Sequence, residues 1–172
     1  MSKHRELFEE LEGHARSANG VESLMVYIAR RLHEQMARYN WVGFYVADPS
    51  LPKTLVLGPY VGSFVPLERI SFGAGLCGTA AATRKTVVVN DVSADMRYVS
   101  RADLVKSEMV VPVVVKEKLV AEIDVESYFT GTFTQQDQDF VESCVALVSR
   151  FMEIHGVMAV NIPLAAELAR AK

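Results

Sequence analysis

The chain has 172 residues, 50% of them hydrophobic and 23% charged, with 18 basic against 21 acidic side chains for a formal charge of -3. That balance belongs to a folded domain with its own core and excludes a disordered tail. Slight acidity disfavours a nucleic-acid backbone as partner. The longest apolar run, Met109 to Val115, is strand-sized and interrupted by Pro112, so no membrane span is expected. Residues Met1 to Glu6 lack the apolar stretch of a signal peptide, and a cytoplasmic location is the expectation.

The first segment, Lys3 to Ala18, carries Leu7 and Leu11 at i,i+4 in a charged background, a narrow helical stripe ended by Asn19-Gly20. From Val21 to Tyr39 a broader stripe of Leu24, Ile28, Leu32 and Met36 predicts a helix able to cover a sheet. The sparse first stripe (1–20) suits a helix completed by the second helix or by a partner chain, and a homodimer is expected. Period then changes. Trp41 to Val46 is aromatic and β-branched, and Thr54 to Tyr60 returns beside it after the Asp48–Pro52 turn. Leu67 to Ser71 is a short strand, Gly78 to Arg84 a short helix, and Thr86 to Val89 another short strand. Asp91 to Lys106 is irregular, the length of a binding loop.

Met109–Val115 and Leu119–Val125 form the clearest hairpin. Thr134 and Asp137 then spell a capping box for a helix to Ile154, with Phe140, Cys144, Leu147 and Phe151 on one face. Residues 21–156 make the domain, and 157–172 a tail or short helix through Leu164, Ala165 and Leu168. A mostly antiparallel sheet covered by the terminal helices satisfies this order. Gly73, Gly75 and Gly78 match a dinucleotide fingerprint by spacing but lack the βαβ frame it needs.

On the strand Leu119 to Glu126, Leu119, Ala121, Ile123 and Val125 share one face and Glu122, Asp124 and Glu126 the other, so three carboxylates stand together. This is either a solvated edge or a pocket wall for an ammonium or guanidinium. Whether Glu108 joins that wall depends on the hairpin. A two-residue loop at Lys116-Glu117 leaves Glu108 on the opposite face. A three-residue loop, or a bulge at Pro112, brings it beside Glu126. Trp41 and Tyr45 share a face across Gly43, as core packing or as a cage for a small cation. Of the two cysteines, Cys144 lies in a helical pattern and Cys77 in a glycine-rich stretch. All four histidines (His4, His14, His33 and His155) fall in terminal helices, which removes the usual zinc set; neither a metal nor a cofactor is expected.

Taken together, Asn40–Tyr45, Leu57–Tyr60, Ile70–Ala81, Ser107–Pro112 and Ile123–Ser127 resemble a stand-alone GAF domain of the free methionine-(R)-sulfoxide reductase branch. The resemblance implies an α+β fold with a central antiparallel sheet of about six strands and the N- and C-terminal helices on one face. It also implies a ligand pocket at Trp41, Tyr45, Glu108, Asp124 and Glu126. Reductases of that branch match this chain at Cys77. They carry their nucleophilic cysteine where this chain has Arg101, and a further cysteine where it has Leu67. Arg101 is therefore a candidate ligand-binding residue, entering the acidic pocket or meeting a ligand carboxylate.

The reading that follows is a non-catalytic, sensor-like GAF protein whose acidic and aromatic pocket suits a free amino acid or amine. The alternative is a reductase using Cys77, with thioredoxin or another external thiol as reductant.

Overall fold

The computed structural model describes residues 2–99 and 103–161. Helices α1 (Lys3–Ala15) and α2 (Val21–Gln35) are followed by strands β1 (Trp41–Ala47), β2 (Thr54–Val61) and β3 (Arg69–Ser71). Then come α3 (Gly75–Thr83), β4 (Val87–Val89), β5 (Ser107–Val115), β6 (Lys118–Ser127) and α4 (Gln135–Ile154). The six strands form one sheet in the order β3-β2-β1-β6-β5-β4, with every neighbouring pair antiparallel. Arg101 and the expected tail helix at Leu164, Ala165 and Leu168 lie outside the described residues. Among the described residues, no helix is long and apolar enough to cross a membrane.

Strand alternation splits the interior into two layers. Val42, Phe44, Met109, Val111, Ile123 and Val125 face α2 and α4, where Leu24, Ile28, Leu32, Phe140, Cys144, Leu147 and Phe151 meet them in one core. Both large helices therefore lie on the same face of the sheet. Leu7 and Leu11 of α1 are buried in that core too, and Arg31 ties α1 to α2 through Glu10 Oε1 at 2.6 Å. The narrow stripe thus finds its partners within its own chain.

On the opposite face Trp41, Tyr45, Leu55, Leu57 and Val110 pack with Leu76, Cys77, Ala80 and Ala81 of α3. This second, thinner layer is where the site forms.

Helix α2 stops at Gln35, four residues short of the predicted end. Met36 turns to an extended conformation, and the chain delivers Tyr39 into the core, 2% exposed. Helix α3 begins at Gly75 rather than Gly78, so Cys77 lies in its first turn. Gly78 is fixed by a close approach: a Cβ there would lie 2.4 Å from the Ser71 carbonyl oxygen.

The hairpin uses the two-residue loop, with Val115 paired to Lys118 and both Lys116 and Glu117 at positive φ. Glu108 is nevertheless paired with Glu126, because the register shifts where Val113 faces Ala121 and Val114 faces Leu119. The irregularity lies at Val120, not at Pro112. It also corrects the alternation: Val120 and Ala121 both join the helix-side core, and Leu119 packs on the α3 side.

Candidate functional site

A cavity of about 310 Å³ opens between the α3 face of the sheet and the loops beside it. Tyr45, Cys77, Glu108, Asp124 and Glu126 all line it. Three elements place them. β1 supplies Tyr45, the β5–β6 hairpin supplies the carboxyl groups, and the first turn of α3 brings Cys77 over them. Cys77 Sγ lies 3.8 Å from Glu108 Oε1, in hydrogen-bond position to donate. Ligand-capable atoms of Cys77, Glu108 and Asp124 are all within 4.8 Å of one another.

Trp41 takes another place. It is fully buried and outside the cavity lining, its ring stacked on Tyr60 at 5.5 Å and on Phe64 at 5.8 Å between centroids. Phe64 does line the cavity, so Trp41 buttresses the wall from behind. Gly43 leaves room for that ring: a Cβ at Gly43 would stand 2.3 Å from Trp41 Cη2 and 2.7 Å from Tyr60 Cβ. Gly43→Ala is therefore expected to cost about 1–3 kcal/mol through overpacking, read as a lowered midpoint in denaturant. An unchanged midpoint would show that the ring moves without cost.

Tyr45 donates its hydroxyl to the Leu67 carbonyl at 2.9 Å, closing the sheet onto the loop before β3. Leu67 and Cys77 therefore line one cavity. Sequence reasoning missed the rim at Phe64, Arg69, Ile70 and Tyr98, which only the tertiary arrangement assembles. It placed Glu122 on the acidic face but not its surroundings. Glu122 is completely buried behind the cavity, opposite Tyr45 and Pro112, and neither carboxyl oxygen has a hydrogen-bond partner.

The electrostatics follow from four carboxyl groups crowded into one largely buried layer. Burial pushes Asp124 well above the usual carboxylate range, reinforced by Glu108, Glu126 and Glu122. Burial does the same to Glu108, with Glu126 adding to it, and to Glu122. Glu126 is raised to about 7, again by burial. The Cys77 thiol is pushed up by burial first, then by the surrounding acids. Asp124 Oδ1 and Glu126 Oε2 are buried without a hydrogen-bond partner. Unpaired buried carboxyl groups in a cavity attract a cation or a strong hydrogen-bond donor.

Arg69, at the rim, is held by Asp48. The first turn of α3, also lining the cavity, has no side-chain cap on its N–H groups. The cavity lining thus includes both carboxyl groups and a helix amino terminus, groups of opposite polarity that a zwitterion could meet.

A family model described as GAF domain matches residues 15–153. The chain is 38% identical over 112 residues to the free methionine-R-sulfoxide reductase of Saccharomyces cerevisiae, which covers 64% of this chain and 62% of that protein. It thus spans a little under two thirds of the yeast protein's length. Against the free methionine-R-sulfoxide reductase of Escherichia coli it is 33% identical over 121 residues, 70% of this chain and 71% of that one. The solved free methionine-R-sulfoxide reductase of Neisseria meningitidis, in complex with its substrate, matches at a TM-score of 0.82 and 29% identity, covering 87% of this chain and 88% of the other. The chain belongs to the GAF-domain family and is homologous to the free methionine-R-sulfoxide reductases within it.

Proposed function

We propose that the chain binds free methionine sulfoxide in this cavity and reduces it through Cys77, with thioredoxin or another external thiol as reductant. The observation that carries the reading is Cys77 Sγ at 3.8 Å from Glu108 Oε1, in a cavity shared with Asp124 and Glu126. Similarity to free methionine-R-sulfoxide reductases supports the substrate class. At about 310 Å³ the cavity suits a single amino acid. It sits at the small end of the roughly 300–1,000 Å³ usual for ligand sites. Asp124 and Glu126 meet the ammonium, and the open amino end of α3 meets the carboxylate.

In the reaction Cys77 sulfur attacks the sulfoxide sulfur as its proton passes by way of Glu108 to the sulfoxide oxygen. Oxygen moves to Cys77, so that the thiol is oxidised to a sulfenic acid while the sulfoxide is reduced to the thioether. One external thiol condenses with the sulfenic acid, releasing water and leaving a mixed disulfide. A second thiol then frees Cys77 and departs as the external disulfide.

The second reading is a sensor that binds the same amino acid without chemistry. It is favoured by the raised Cys77 pKa, because a buried neutral thiol is a weak nucleophile. It is favoured also by Arg101, which stands where the resemblance puts the family nucleophile. Turnover of free methionine-(R)-sulfoxide with excess dithiol decides between them. Wild-type turnover reduced to background in Cys77→Ser supports the reductase. No turnover in wild type, with binding seen by calorimetry, supports the sensor.

A further inference from the structure

We propose that Cys77, Glu108 and Asp124 form a binding site for a divalent cation of the zinc class. The histidine-free pattern gave no sign of it, because its ligands come from two different strands and a helix. All three residues are buried, and one ligand atom from each lies within 4.8 Å of the other two. A tetrahedral zinc ion with bonds of about 2.3 Å to sulfur and about 2.1 Å to oxygen sets its sulfur and oxygen ligands roughly 3.6 Å apart. The Cys77–Glu108 pair already stands at 3.8 Å, close to that separation.

A second observation points to a ligand independently of this clustering. Asp124 is 3% exposed, lines the cavity, and holds one oxygen buried with no hydrogen-bond partner. A cation satisfies that oxygen and offsets charge beside Glu108 and Glu126, which line the same cavity. The thiolate selects the ion. Two carboxylates alone would suit magnesium or calcium, but sulfur shifts preference to zinc, cobalt or a similar borderline metal. Three protein ligands leave a fourth position for water.

Binding also has a functional consequence, which rests on the reading above. The ion takes the nucleophile and one ammonium-binding carboxylate, so metal and amino acid exclude each other. Cation binding itself does not depend on that reading.

Cobalt(II) added to the reduced full chain tests the site directly, since a cobalt–thiolate bond has a charge-transfer absorption that carboxylates lack. We expect that band to saturate at one equivalent and to disappear when zinc displaces cobalt. It should be absent in both Cys77→Ser and Cys77→Ala and present in Cys144→Ala. Asp124→Asn and Glu108→Gln, neutral isosteres that relieve buried charge, should each weaken cobalt binding at least tenfold, with folding checked by circular dichroism. No band in wild type would overturn the proposal. So would a band lost only with Cys144, or an affinity unchanged in Asp124→Asn and Glu108→Gln, which would mark a lone thiol. Each of these results is read without turnover, so loss of the reductase reading leaves the metal test intact.

Discussion

Asp124→Asn and Glu126→Gln are expected to stabilise the ligand-free protein while removing its affinity for an amino-acid ligand. Both side chains hold a buried oxygen without a hydrogen-bond partner, on a strand face crowded by Glu108 and Glu122. Neutralising such a group with an amide of the same shape relieves its desolvation penalty and its repulsion from the others. A gain of about 1–2 kcal/mol would follow, or about 2–4 °C per kcal/mol in a chain of this size. The same change removes a charged partner of the ligand ammonium, a loss of about ten- to hundredfold in affinity. Differential scanning calorimetry and ligand titration on the same samples would show the two effects with opposite signs. A variant that loses stability and affinity together would mean that these carboxyl groups hold the fold and are not reserved for a ligand.

How far the sequence reveals this site depends on the range of the forces that build it. The α4 start was legible because Thr134 and Asp137 cap each other within one turn. The two-layer sheet was legible because alternation at Val42, Phe44, Ile123 and Val125 fixes which side meets the helices. Glu108 was not. Its place beside Glu126 depends on the extra residue at Val120, which lets Leu119 turn towards α3 and Val120 towards the helices. Both faces of that strand are apolar at this point, so local pattern does not favour one bulge position over another.

The turn gave no glycine signal either, since Lys116 and Glu117 take positive φ themselves. Trp41 shows the converse limit. Its shared face with Tyr45 was readable, but its stacking on Tyr60 and Phe64, behind the cavity wall, depends on a loop that meets β1 only in three dimensions. Cys77 was recognised as the thiol of interest, while the carboxyl groups around it come from residues 31 to 49 positions further along the chain.

Asp137→Asn is expected to lower stability at neutral pH by about 2 kcal/mol, the range for losing a helix cap and charge-assisted hydrogen bonds together. This carboxylate joins three partners in the helix-side layer, Thr134, Tyr39 and His4. Oδ2 accepts from the Thr134 backbone at 2.9 Å and from its hydroxyl, completing the capping box of α4. Oδ1 accepts from the Tyr39 hydroxyl at 3.0 Å, which anchors the passage from α2 into β1, and lies 3.2 Å from His4 Nε2 on α1.

Burial alone would raise the Asp137 pKa, but the hydrogen bonds from Thr134 and Tyr39, with His4, hold it below the usual aspartate value. The sign of the pH effect follows. A depressed folded-state pKa contributes stability above the unfolded-state value near 3.8 and loses it as pH falls through the lower folded-state value. Wild type and Asp137→Asn should therefore differ most at neutral pH and converge as acid protonates the wild-type carboxyl. Denaturant midpoints measured from pH 7 down to the acid limit of folding would trace that convergence. A gap that stays constant across the range would place the Asp137 contribution in packing, because a neutral side chain of the same shape would then lose nothing further in acid.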